Sequence, residues 1–190
     1  MAKELDKKGT DLEDNRIIYV NGEFNEDMAK EIFQSLIKYE TSDSTKDILM
    51  IIDSFGGQVY SFLAIYDYIQ LMRCDVATLG VGKAMSCGQL LLMSGTKGKR
   101  FATKNSRILM HELSMGTWGK LTDVEIDVNE GKALRKVMEK LIGEHTNLSK
   151  KEVKKFMERD SFMSAKELKK CGAIDHVVKT HKDLYKHLNL

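Results

Sequence analysis

Hydrophobic and polar positions follow two different periods along the chain. Short runs that are apolar at nearly every position read as strands covered on both faces. Such runs occupy 16–20, 48–52, 76–81, 107–110 and 174–178. Between them, apolar residues recur every three or four positions, the period of a helix. Ile32, Phe33, Leu36 and Ile37 share one face, and Val59, Phe62, Leu63, Tyr66 and Ile69 share another. Val124, Val128, Leu134, Val137, Met138 and Leu141 mark a long helix over 121–145, which Gly131 interrupts at some cost. Local signals set several ends. Asn25 is placed to cap a helix whose first turn holds Glu26 and Asp27. Ser149 with Glu152, and Ser164 with Glu167, have capping-box spacing. Gly172 fits a helix stop. Turns are expected at Asn21-Gly22, at 53–57 and at 82–88, the last leading into a short helix over 89–93, and 95–99 reads as a loop. Strands alternating with helices predict an α/β domain with largely parallel pairing. A single domain is expected over 16–190, after a short polar arm over 1–15.

Composition narrows the function classes. The chain has 190 residues, 42% of them hydrophobic, which suffices for one sizeable core. Charged residues of both signs are interspersed and the net charge is +2. That balance lacks the basic stripe of a nucleic-acid binder. No run of 18 apolar residues points to a membrane span, and the charged start lacks the apolar stretch of a secretory signal. Cys74, Cys87 and Cys171 are odd in number and lack metal-like spacing, so a reduced cytoplasmic compartment is expected. Proline is absent, which leaves every turn to Gly, Asn, Asp or Ser, and the 11 methionines read as core filling.

Candidate chemistry gathers at three strand ends. Gly56-Gly57 follows an apolar run and permits a turn that aims amide N–H groups at an anion, although paired glycines also make ordinary tight turns. Ser86 lies in Gly82-Lys-Ala-Met-Ser-Cys-Gly88, a strand-to-helix turn with a glycine two residues on. This approximates a nucleophile elbow with Ala84 in place of the first glycine, and a plain helix cap is the simpler reading. His111 alone of five histidines closes an apolar strand. His145, His176, His181 and His187 read as solvated or locally structural, and no metal or cofactor is expected. Spacing does not choose the acid among Asp53, Asp75, Asp123, Asp160 and Asp175.

Taken together, several segments resemble the Clp protease proteolytic subunit, a family of serine peptidases. The segments are Ser54-Phe-Gly-Gly57, Gly82 to Gly88, Lys97-Gly-Lys-Arg-Phe101, Asn105-Ser-Arg107 before His111, and Arg159-Asp160 before Phe162-Met-Ser-Ala165. They run in the family's order from about Arg16 to Val178. The resemblance implies a crotonase-like spiral of βαβ units, with a protruding handle (a strand plus a long helix) over about 112–145. It implies a triad of Ser86, His111 and Asp160, with the backbone N–H groups of Gly57 and Cys87 as oxyanion hole. Met115 and Gly116 would open the strand that binds the peptide backbone. Arg159 would pair across rings with Asp123 or Glu158, in an assembly of two stacked heptameric rings. The implied substrates are peptides and unfolded proteins, with no nucleic acid and no membrane.

The family pattern is broken in places. Phe55 and Leu113 replace prolines, Met115 replaces one of two glycines, and Cys87 replaces a methionine. The Cys87 thiol is an alternative nucleophile. The dock for an ATP-driven AAA+ unfoldase would be lined by Leu49, Ile51, Leu71, Leu79 and Phe101, mostly aliphatic where the family is aromatic, which argues against a standard unfoldase partner. Fifteen residues before Arg16 are too few for the family's gating hairpin and opening helix, so a wider or mobile axial entrance is expected. Two rival functions remain at this stage: a catalytically weak ring subunit that scaffolds a paralogue, and a crotonase-type acyl-CoA enzyme.

Overall fold

The computed structural model describes residues 15–190. The expected arm over 1–15 therefore lies, except for Asn15, outside the described residues. The elements in chain order are β1 (Ile17–Phe24), α1 (Glu26–Ser42), β2 (Ile48–Gly57), α2 (Val59–Leu71), β3 (Val76–Met85), α3 (Cys87–Met93), β4 (Arg100–Thr103), β5 (Arg107–Met110), α4 (Leu121–His145), α5 (Lys150–Glu158), β6 (Ser161–Ser164), α6 (Ala165–Lys170), β7 (His176–Val178) and α7 (His181–Tyr185). Strands β1-β2-β3-β4-β7 pair in parallel in that order. The α/β class with parallel pairing expected from the alternating pattern is what the chain adopts.

Strand β3 carries the sheet's branch. Its first half pairs with β4 through Thr78, Leu79 and Gly80, and its last residues pair with β5 through Lys83, Ala84 and Met85. Strand β6 then adds antiparallel to β5. The candidate residues lie at or next to the ends of β2, β3, β5 and β6 around this branch.

Side-chain alternation explains the continuous apolar runs. Ile48, Met50 and Ile52 enter the larger core under the helices, with Phe62, Ile65, Leu91 and Met138. Leu49 points to the opposite face, where Ala77, Leu79 and Phe101 form a smaller cluster. Leu184, Tyr185, Leu188 and Leu190 cover that face. Asn189 pins the covering segment: its N–H donates to Asp47 Oδ2 at 2.9 Å and its carbonyl accepts from the Asp47 N–H at 2.7 Å. The surface expected to be an open dock is thus mostly self-covered, and Leu71 lies apart from it, exposed at the end of α2.

Several expectations change on folding. Asn21-Gly22 is a bulge inside β1, because pairing with β2 continues on both sides of it. Residues 53–57 stay in β2 and β3 extends to Met85, for the same reason. Ile37 is exposed while Ile32 and Leu36 are buried. Strands β4 and β6 and helix α7 form where the sequence pattern gives no clear signal. The helix expected in the handle is found over Leu121–His145, but its expected strand is not formed, because residues 111–120 join no strand ladder among the described residues. Tail histidines are structural: His176 stacks on His187 at 4.0 Å and on Phe101 at 5.4 Å. Among the described residues, no helix is long and apolar enough to cross a membrane.

Candidate functional site

Ser86 is the whole connection between β3 and α3. It sits at φ 52 and ψ −123, and among described non-glycine residues only Arg16 shares a positive φ. Such a conformation is strained for a residue with a Cβ and persists only where its surroundings impose it. Here the Ser86 N–H donates to the Leu109 carbonyl at 3.0 Å, and the Ser86 carbonyl accepts from Gln89 and Leu90 N–H at 3.0 and 3.1 Å. Every residue of α3 is buried behind it. The Ser86 hydroxyl makes no cap hydrogen bond, so the simple helix-cap reading does not hold.

The end of β2 presses against this turn. A Cβ on Gly56 (φ 103) would lie 2.6 Å from Ser86 Cβ and 2.9 Å from the Met85 carbonyl. One on Gly57 (φ 150) would lie 2.5 Å from the Phe24 backbone. Neither position has space or backbone geometry for a side chain. Ser54 braces the segment, donating to the Gly22 carbonyl at 2.5 Å and accepting from the Gly56 N–H at 3.0 Å. Cys87 Sγ donates to the Gly57 carbonyl at 3.4 Å, so the two expected oxyanion residues adjoin. Burial pushes the Cys87 thiol up to about 11, where thiolate is scarce at neutral pH. Since the thiolate is the nucleophile, Cys87 is poorly suited to attack.

His111 and Asp160 flank the end of one short ladder. In the β5–β6 ladder Arg107 faces Ser164 and Met110 faces Ser161, so one further step puts His111 opposite Asp160. Both line one surface cleft, with Glu112, Leu113, Ser114, Glu158 and Arg159. On its other side β5 runs parallel to β3 with Met85 beside Leu109, one residue before Ser86. The three residues thus stand at three adjacent strand ends. Among the described residues no hydrogen bond joins their side chains in the single chain.

Other acids left open by spacing are engaged elsewhere. Asp53 accepts from Lys83 Nζ at 2.7 Å and Asp75 from Lys99 Nζ at 2.8 Å. Asp175 takes Arg100 in a bidentate pair at 3.0 and 2.8 Å and also the N–H groups of Gly98 and Arg100. Burial acts to raise the Asp175 pKa, yet these bonds hold it below the usual carboxylate value. Asp123 lies in the first turn of α4 and does not line the cleft with Arg159 and Glu158. Gly116 has open space where a Cβ would be. Trp118 is 97% exposed. Arg135 and Gly131, described below, carried no functional signal in the sequence. Among the described residues, no group of three or more His, Cys, Asp or Glu is arranged to hold a metal ion.

Comparison with known proteins shows the family. The Clp protease family model matches residues 2–181. The chain is 39% identical over 163 residues to "ATP-dependent Clp protease proteolytic subunit 2" of Corynebacterium glutamicum, covering 86% of this chain and 81% of that protein. Matches of that extent and identity mean that the chain belongs to the Clp protease family and is a serine-type peptidase.

Proposed function

We propose that Ser86, His111 and Asp160 are the triad of this peptidase, working within a ring-shaped chamber on unfolded chains and peptides. In this reading Ser86 Oγ attacks the scissile carbonyl carbon while His111 takes the hydroxyl proton. The C–N bond then breaks, His111 returns the proton to the leaving amine, and an ester remains on Ser86. Water, deprotonated by His111, hydrolyses that ester and restores the serine. Asp160 orients the imidazole and stabilises its charged form. The N–H groups of Gly57 and Cys87 receive the negative charge that develops on the carbonyl oxygen.

The observation that carries this reading is the strand register. Continued by one step, the β5–β6 register aligns His111 with Asp160, and on its other side β5 runs beside the strand that ends at a strained, uncapped serine. Fluorogenic peptide hydrolysis by the assembled protein tests it. Activity that disappears in Ser86→Ala supports the triad, and undiminished turnover by that variant contradicts it.

The single domain over 16–190 assembles, in this reading, as two stacked rings of seven in the cytoplasm. The unpaired segment before α4 supports this, because Met115, Trp118, Leu121 and Ile126 are exposed along it and along the start of the helix. Met115 and Gly116 would receive the peptide backbone there. Arg159, beside Asp160 in the cleft, would reach Asp123 or Glu158 of a facing subunit and couple assembly to triad closure. Light scattering that finds a fully active monomer would overturn this part.

A further inference from the structure

Residues 111–120 form neither helix nor strand, yet three contacts lay them along α4. Arg135 Nη1 donates to Glu112 Oε1 at 2.5 Å, while Arg135 Nε donates to Glu139 at 2.9 Å. The Met115 sulfur lies over Gly131, where a Cβ would collide with it. The Thr117 hydroxyl donates to Asp127 Oδ2. The helix partners 135, 131 and 127 are four residues apart, so they stack on one face of α4. The segment partners 112, 115 and 117 run the other way, as an antiparallel strap. The same stretch of α4 is tied to the other half of the site. Tyr60, three residues after Gly57, donates to Glu130 at 2.9 Å.

Two departures from expectation fit together here. A glycine inside a helix is unfavourable by about 1 kcal/mol against alanine. At Gly131 any larger residue would displace Met115. Met115 in turn stands where the family resemblance implied glycine.

We propose that Arg135 and Gly131 are positioning residues for His111. They set the register of the strap on α4, and through Glu112 they set where the imidazole stands. The proposal rests on the Ser86, His111 and Asp160 reading. A purely structural role would look different. The Arg135 and Glu112 side chains are 35% and 44% exposed, and pairs that exposed contribute little to stability. Their loss should therefore act on activity far more than on the fold.

The test measures kcat/KM and its pH profile on the assembled protein. Arg135→Glu should lower kcat/KM on the order of 100-fold, the scale of a misplacement of about 1 Å. It should also shift the pH profile, while thermal unfolding stays nearly unchanged. The charge swap Glu112→Arg with Arg135→Glu should restore most of the activity. Independently, Gly131→Ala should lower kcat/KM, and adding Met115→Ala should recover most of it by relieving the collision, since the substrate contact proposed at Met115 is made by its main chain. Full activity with an unshifted profile in both single variants overturns the proposal. So does an activity loss that neither compensating change repairs, or one that light scattering traces to dissociation of the assembly. Ser86→Ala separates the two readings, because retained turnover there sinks the triad whatever the strap variants do.

Discussion

The two halves of the proposed site are held by different kinds of structure. Ser86, Gly56, Gly57 and Cys87 stand at the ends of ten-residue strands, against a helix buried along its whole length. His111 and Asp160 stand at the ends of four-residue strands and continue into exposed chain. The first half is fixed by the core: a strained serine is imposed by its neighbours, and no side chain fits at either glycine. The second half is placed by a short ladder and a few surface contacts. The proposed nucleophile and oxyanion donors are therefore preorganised, as electrostatic stabilisation of a developing charge requires. The proposed base and acid remain adjustable, which is where the proposed assembly would act.

Breaking the fixed half should have the largest effect. Ser86→Ala is expected to lower peptidase turnover by up to about 10⁶-fold, since triad members act as a unit. Circular dichroism should report an unchanged fold. In the adjustable half, Asp160→Asn should keep the ladder and lower kcat by about 10⁴-fold, by leaving the imidazole wrongly oriented. Loss of less than about tenfold would assign the acid elsewhere.

Gly57→Ala sharpens the contrast at the fixed end. Its Cβ would meet the Phe24 backbone, so the strand end must move and the oxyanion donors with it. A loss of about 10²- to 10³-fold in kcat is expected, the scale of removing one such donor. Stability separates both halves from the scaffold. Asp175→Ala leaves the buried Arg100 without its carboxylate, although the carbonyls of Met93, His145 and Gly172 still accept from it. Denaturant unfolding should register a loss near 3 kcal/mol, the low end for a broken buried pair.

The smallest effect concerns pH and leaves the site alone. Burial first, and the Arg100 charge next, lower the pKa of His145, whose Nε2 lies 2.9 Å from the Tyr66 hydroxyl. The unfolded chain therefore binds more protons once pH falls below the ordinary histidine value of about 6.5. Stability should fall with pH through that range. His145→Gln should flatten this part of a plot of melting temperature against pH. An unchanged slope would remove His145 from the account.

Much of the helical framework is legible in local sequence. Asn25, Ser149 and Ser164 cap as expected, because each cap depends only on residues within one turn. The 121–145 helix and the Arg107–Met110 strand also stand where the periodicity put them. The rest depends on distant partners. Asn21-Gly22 has the chemistry of a turn, but β2 pairs on both sides of it. Strand β6 is short and half polar, and only the β5 ladder makes it a strand. Spacing could not choose among five acids, and the case proposed for Asp160 draws on antiparallel register between residues about 50 apart. The strap on α4 had no sequence signal either: a glutamate beside a histidine and an arginine 23 residues later mean nothing until α4 is folded back.

The most direct measurement is covalent labelling by a fluorophosphonate, followed by intact mass and peptide mapping. The account predicts a single adduct, on Ser86, that is absent in Ser86→Ala and greatly slowed in His111→Ala. An adduct on Cys87 or any other residue, or no adduct from a protein that still cleaves peptide, would contradict it.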